Sequence, residues 1–315
     1  MVHKSLKKII FGLFALPLLV ACSKDKGPSI DDHFLNYQIE KIPATKDYTV
    51  GAFYINFGNF NAAVKEVPTV GKYNFSSGRL PTGIMEKHID YAATGKINYF
   101  IFSLRSATRS FSNYTQDSVL IKSFLDSQNS SKMNFAISYN LNIGTNVAAG
   151  QLPVNNTTAI EDLAPSFLEG FFKDFERMAF YFSQPNYQKV NGKPLIVITP
   201  AQNLASTDSE ALYNELRARV RSKGFELYIV GMQDGWTPPQ RYYFRFHKCV
   251  DAMYEDKMSD AGNQPDRVYL FPQVVDQNWI YWKQSLRQYN IDFIPSISPG
   301  YQYSVRAPAS RNLPL

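Results

Sequence analysis

From Lys46 onward the chain alternates between two patterns. One is a short apolar run rich in β-branched and aromatic residues; the other is a longer stretch whose apolar positions recur every three or four residues. The first fits strands and the second amphipathic helices. Strands are predicted at 50–56, 97–103, 134–139, 195–199, 226–231, 250–254 and 292–297. Helices are predicted between them at 84–94, 117–128, 158–182, 209–223, a short segment at 240–246, and 273–288. Near-continuous apolar strands separated by helices are what a parallel sheet covered on its faces requires. An open doubly wound sheet and a closed barrel share this alternation. No Gly-rich phosphate fingerprint follows any strand, and aromatic and amide residues recur there instead, which favours an α/β fold of the (β/α)8 TIM-type barrel. Seven strands are predicted, and 18 residues follow Ile297. A seventh helix, eighth strand and eighth helix need at least about 40, so the eighth β/α unit is expected to be missing at the C-terminus.

The first 21 residues follow another pattern: Lys4, Lys7 and Lys8, then an apolar run from Ile9 to Val20, then Ala21-Cys22. A basic start, about a dozen apolar residues and a small residue before the cleavage point make a secretory signal, too short to span a bilayer. Leu19-Val20-Ala21-Cys22 is similar to a bacterial lipobox, so residues 1–21 are expected to be a lipoprotein signal peptide and Cys22 the lipidated first residue. Several acyl chains on one cysteine give stable anchoring where a single chain does not. Residues 22–45 then form the lipidated cysteine and a polar tether, residues 46–315 the barrel domain, and the expected location is the bacterial outer membrane.

Composition narrows the function classes. With 44% hydrophobic and 19% charged residues, the chain is globular rather than disordered or polytopic. The formal charge of +6 falls to +3 once Lys4, Lys7 and Lys8 leave with the leader, and no Lys/Arg-rich run remains. No nucleic-acid partner is expected. Of the two cysteines, Cys249 lies in an apolar stretch and reads as a small buried hydrophobe. Four histidines without ligand spacing give no metal site, and no cofactor is expected.

In a barrel, function gathers at the carboxyl ends of the strands. The predicted glycan-binding set there is Tyr54, Asn56, Arg105, Tyr139, Asn140, Asn142, Gln233, Trp236 and Tyr301. Amides and carboxylates match pairs of hydroxyls, and aromatic faces stack on the C–H side of a pyranose. Asp234, Glu255 and Asp256 form the carboxylate pool from which a glycosidase would draw one protonated and one ionised group. Adjacent residues of an extended strand point to opposite sides, so at most one of Glu255 and Asp256 faces the mouth. Asn and Asp also suit turns, Asp251 inside a strand fits an ion pair or a cap as well as it fits catalysis, and Trp279, Tyr281 and Trp282 on a helix read as packing groups.

The succession Pro68-Thr69-Val70-Gly71-Lys72-Tyr73, Ile84-Met85-Glu86-Lys87-His88-Ile89-Asp90-Tyr91-Ala92 and Gly95 to Ser103 resembles the opening of the glycoside hydrolase family 71/99-like barrels, including WbsX-type proteins. Phe171-Phe172-Lys173, the stretch Pro185 to Leu195, and Ile297-Ser298-Pro299-Gly300-Tyr301 are similar to later parts of the same family, so the resemblance runs from about Val50 to Tyr301. It implies a barrel acting on polysaccharide or oligosaccharide, with endo-acting cleavage of α-mannoside-type linkages as one branch's chemistry. Where WbsX-type proteins carry an Asn-Glu-Pro-Trp-like segment after the third strand, this chain has Tyr139-Asn140-Leu141-Asn142-Ile143. The expectation is therefore a lipid-anchored, glycan-processing lipoprotein; the alternative is a non-catalytic glycan-binding lipoprotein of a polysaccharide-utilisation system. The sequence specifies neither the glycan nor an oligomeric state.

Overall fold

The computed structural model describes residues 47–54, 69–71, 73, 79–141, 157–163, 165–233, 235–239, 242–256 and 271–297. Seven parallel strands follow one another in chain order: β1 Gly51–Tyr54, β2 Tyr99–Arg105, β3 Asn134–Asn140, β4 Lys193–Thr199, β5 Tyr228–Gln233, β6 Ala252–Glu255 and β7 Asp292–Phe293. Each pairs only with its sequence neighbours within this series. Helices α1 Ile84–Thr94, α2 Phe111–Leu125, α3 Pro165–Arg177, α4 Ser209–Arg221 and α5 Phe271–Arg287 alternate with them.

The sheet curls. In a flat sheet β1 and β6 would stand roughly 24 Å apart, five spacings of about 4.8 Å, yet the rings of Phe53 in β1 and Tyr254 in β6 lie 5.7 Å apart. Curling separates two apolar layers. Tyr99, Ile101, Ala136, Leu195, Val197, Val230, Met232, Ala252 and Tyr254 form an inner cluster. The alternate residues, among them Phe100, Phe102, Leu104, Phe135, Ile137, Ile196, Ile198, Ile229 and Met253, pack outward in a larger cluster that includes helix residues Ile89, Ile121, Phe124, Phe175, Leu216 and Trp282. The period of two makes one strand serve both layers. A Cβ on Gly51 would come within 2.3 Å of the Tyr99 ring, so the missing side chain leaves room for the outer end of that ring. The described residues thus form a curled half-barrel of the (β/α)8 type, as predicted.

Element boundaries differ from the sequence reading for identifiable reasons. Helix α2 begins at Phe111, six residues before Asp117, because Asp117 is an ion-pair partner of Arg105 and not a helix-start signal. The helix expected over 158–182 is divided into a 3-10 turn at Ile160–Asp162, α3, and a final turn at Ala179–Phe182. Pro165 opens α3, where a missing N–H is tolerated. The segment 240–246 contributes a single 3-10 turn, Tyr243–Arg245. A ribbon absent from the prediction, Lys189–Val190, folds back antiparallel on β4 through Asn191 and Gly192, both at positive φ. Asn-Gly is the preferred dipeptide for such a turn.

Candidate functional site

Two groups of residues lie at the carboxyl edge of the sheet, on its opposite faces. The first lies on the inner wall. Above the apolar inner cluster the wall turns polar and uncharged: Ser138 and Thr199 share a hydrogen bond of 2.6 Å, and Asn140 Nδ2 donates to Ser103 Oγ at 3.2 Å. Thr199 is also hydrogen bonded to the Tyr254 hydroxyl, whose ring faces Phe53. Tyr254 is buried, whereas Phe53 stays 40% exposed.

The second group ends strands β5 and β6. The sheet register sets Gln233 beside Glu255. Glu255 is fully enclosed. Its Oε1 accepts the indole N–H of Trp279 at 3.0 Å, while Oε2 has no hydrogen-bond partner among the described residues, and neither has the buried Oε1 of Gln233. Burial pushes the Glu255 carboxyl up to about 7, and hydrogen bonds from Trp279 and backbone N–H groups offset this only in part. Enclosure disfavours the charged form, so the carboxyl holds a proton near neutral pH. Helix α5 fixes the arrangement: besides Trp279, Asn278 Nδ2 and Trp282 Nε1 both donate to the Trp236 carbonyl, at 3.0 and 2.9 Å. A carboxyl enclosed in this way is a candidate acid group, packed here against α5.

No family model and no curated protein matches the chain. Among solved structures, a glycoside hydrolase-like protein shares 31% identity with it at a TM-score of 0.72, over 90% of this chain and 79% of the other. The chain belongs to that glycoside hydrolase-like family. A second solved structure, titled as a glycoside hydrolase, aligns over 82% of this chain and 81% of its own at 12% identity and a TM-score of 0.41.

Within this glycoside hydrolase-like fold the predicted site residues separate by strand parity. Asn140 stands on the inner wall, whereas Gln233 and Glu255, one step past the inward Met232 and Tyr254, come together on the outward, helix-covered side, contrary to their expected place at the mouth. Asp256 follows Glu255 and is exposed, close enough for its charge to act on the Tyr254 hydroxyl. Tyr54 points outward, its hydroxyl 2.5 Å from His88 Nδ1, while Tyr73 meets the other ring nitrogen at 2.7 Å. Tyr139 also points outward and donates to Asp174 Oδ2 at 2.9 Å. Arg105 is held bidentately by Asp117, through Nε at 2.8 Å and a terminal nitrogen at 2.6 Å. Trp236 is half-buried and is fastened through its carbonyl. Asp251 pairs with Arg217 at 2.9 Å. Asn56, Asn142, Asp234, Tyr301 and Cys22 lie outside the described residues.

Sequence reasoning missed Phe53, Trp279 and Asp174. Phe53 is one residue from the predicted Tyr54, and the inner or outer parity of β1 decides between them. Trp279 reads as packing until its indole N–H is traced to Glu255. Asp174 occupies a core-facing position of α3 between Phe171, Phe175 and Met178, where it accepts from Ser106 at 2.5 Å, Tyr139 at 2.9 Å and Arg177 at 3.1 Å. A carboxylate inside an apolar stripe was the available signal. Burial raises the Asp174 pKa, and its hydrogen bonds partly oppose that. Close approach of α3 to the loop after β2 depends on Gly170, where a Cβ would lie 2.4 Å from Thr108. Cys249 is buried, and burial pushes its thiol up to about 12, which leaves it unreactive. Among the described residues no group of His, Cys, Asp and Glu is placed to hold a metal ion, and no helix is long and apolar enough to cross a membrane.

Proposed function

We propose that the protein is a glycan hydrolase, anchored by lipid on Cys22 to the bacterial outer membrane, in which Glu255 is the proton donor. The observation that carries this reading is the pairing of Gln233 with a fully enclosed Glu255, both with a side-chain oxygen awaiting a partner. Glycosidic cleavage needs one carboxyl that stays protonated near neutral pH and a second that is ionised. Glu255 has the environment of the first, and Asp256 or Asp234 supplies the second. The glycoside hydrolase-like fold supports a glycan as substrate, and the family 71/99 resemblance supports endo-acting cleavage of α-mannoside-type linkages. The Glu255→Gln protein should release reducing sugar roughly 10²-fold or more slowly than wild type while still binding the polysaccharide. Wild-type activity should fall as pH rises above about 7, where the donor loses its proton. Turnover by Glu255→Gln within a few-fold of wild type removes Glu255 from this role.

A second reading is a non-catalytic glycan-binding lipoprotein. It is favoured by the uncharged inner wall and by the complete enclosure of Glu255, which leaves that carboxyl no surface. Retention of a polysaccharide without any product over a long incubation with the wild-type protein decides for it.

A further inference from the structure

Phe53 stands out on the inner wall. It is a large apolar side chain 40% exposed beside the buried inner cluster, and its ring leans on Tyr254 at 5.7 Å with 37° between the planes. Around this pair the groups are hydroxyls and one amide: Thr199 and Ser138, bonded to each other; Ser103 and Asn140, likewise; and the Tyr254 hydroxyl on Thr199. The charges nearby select against an anion. Arg105 ends β2, but its guanidinium is occupied by Asp117 on α2, and Asp256 adds a negative charge near the Tyr254 hydroxyl. Among the described residues the wall has no free cation for a uronate or a sulfate.

We infer that Phe53 and Tyr254, with the Thr199, Ser138, Ser103 and Asn140 side chains, form a subsite for one uncharged sugar ring. The apolar C–H face of a pyranose covers the exposed Phe53 ring, and its hydroxyls exchange hydrogen bonds with Thr199 and Asn140, both of which donate and accept. Asp256 at the rim accepts from hydroxyls and repels carboxylated or sulfated sugars. This assignment rests on the glycan reading above and narrows it to neutral polysaccharides. It does not depend on hydrolysis.

The test is native gel electrophoresis of the full-length protein through gels containing mannan, xylan or a β-glucan, with polygalacturonate and alginate gels in parallel. Wild type should be retarded by at least one neutral polymer and by neither anionic one. Phe53→Ala should weaken that retardation roughly ten-fold, equivalent to about 1.4 kcal/mol. Phe53→Trp, which keeps an aromatic face, should retain it, so that a lost platform is distinguished from a damaged fold. Thr199→Val should weaken it several-fold. Retardation by the anionic polymers as strong as by the neutral ones, or neutral binding unchanged in Phe53→Ala, overturns the subsite and leaves the glycan reading standing. Retardation in none of the gels overturns both.

Discussion

Enclosing Glu255 has a thermodynamic consequence apart from any catalysis. Its carboxyl titrates near 7 in the folded chain and near the ordinary 4.5 once exposed by unfolding. Between those values the unfolded state sheds a proton that the folded state keeps, so rising pH favours unfolding. The stability present below about pH 4.5 is lost as pH climbs through 7, by about 3 kcal/mol in full. Glu255→Gln keeps the shape of the neutral acid and cannot ionise. It should match wild type in urea unfolding at about pH 4 and exceed it at pH 8 by up to that amount. Equal pH dependence in the two proteins would mean that Glu255 is not held neutral. At this scale the sequence was informative about chemistry and poor about direction. Glu255, Gln233 and Asn140 end apolar strands as read, but only Asn140 takes the inner parity; Glu255 and Gln233 fall on the outward one. Tyr54 and Tyr139 were misleading because one step along a strand reverses the face, and a tyrosine suits either layer.

Among the elements, α5 is fastened to the carboxyl edge of the sheet by three neighbouring side chains. Asn278 and Trp282 share one acceptor, the Trp236 carbonyl, and Trp279 reaches Glu255 from the same turn. A carbonyl with two donors stays satisfied when either is lost and is orphaned only when both are. Asn278→Ala should cost about 1 kcal/mol, and Trp282→Phe more, because Trp282 is fully buried and stacked on Phe293. The double variant should exceed the sum of the two by about 1 kcal/mol in a urea double-mutant cycle. Strict additivity would show that the shared acceptor contributes nothing. Helices α1 and α4 were legible to within two residues, because apolar spacing and end signals agree there. Boundaries failed where tertiary partners took a residue over. Asp117 holds Arg105 instead of starting α2, and the Met178 N–H is shared between the Asp174 and Phe175 carbonyls where the long helix breaks.

For the molecule as a whole, the alternation of strand and helix foretold the parallel order and the curled sheet, because strands apolar on both faces leave few other solutions. How the rim is furnished could not be foretold, since it depends on parity and on partners distant in sequence. The proposed membrane anchor is likewise to be tested on the whole molecule. Cys22→Ser should move the protein from the membrane fraction to the soluble one with its fold intact, as judged by circular dichroism; unchanged membrane partitioning would dismiss lipidation at Cys22. The strands pair in chain order, so most of the half-barrel can be laid down one β/α step at a time from contacts between near neighbours. The meeting of Phe53 and Tyr254 joins positions about 200 residues apart, and such closures carry the largest entropic barrier and form late. During synthesis the platform assigned to a sugar ring is therefore among the last surfaces to come into being. A ribosome-bound fragment that stops short of β6 can own most of the sheet and yet have no binding wall.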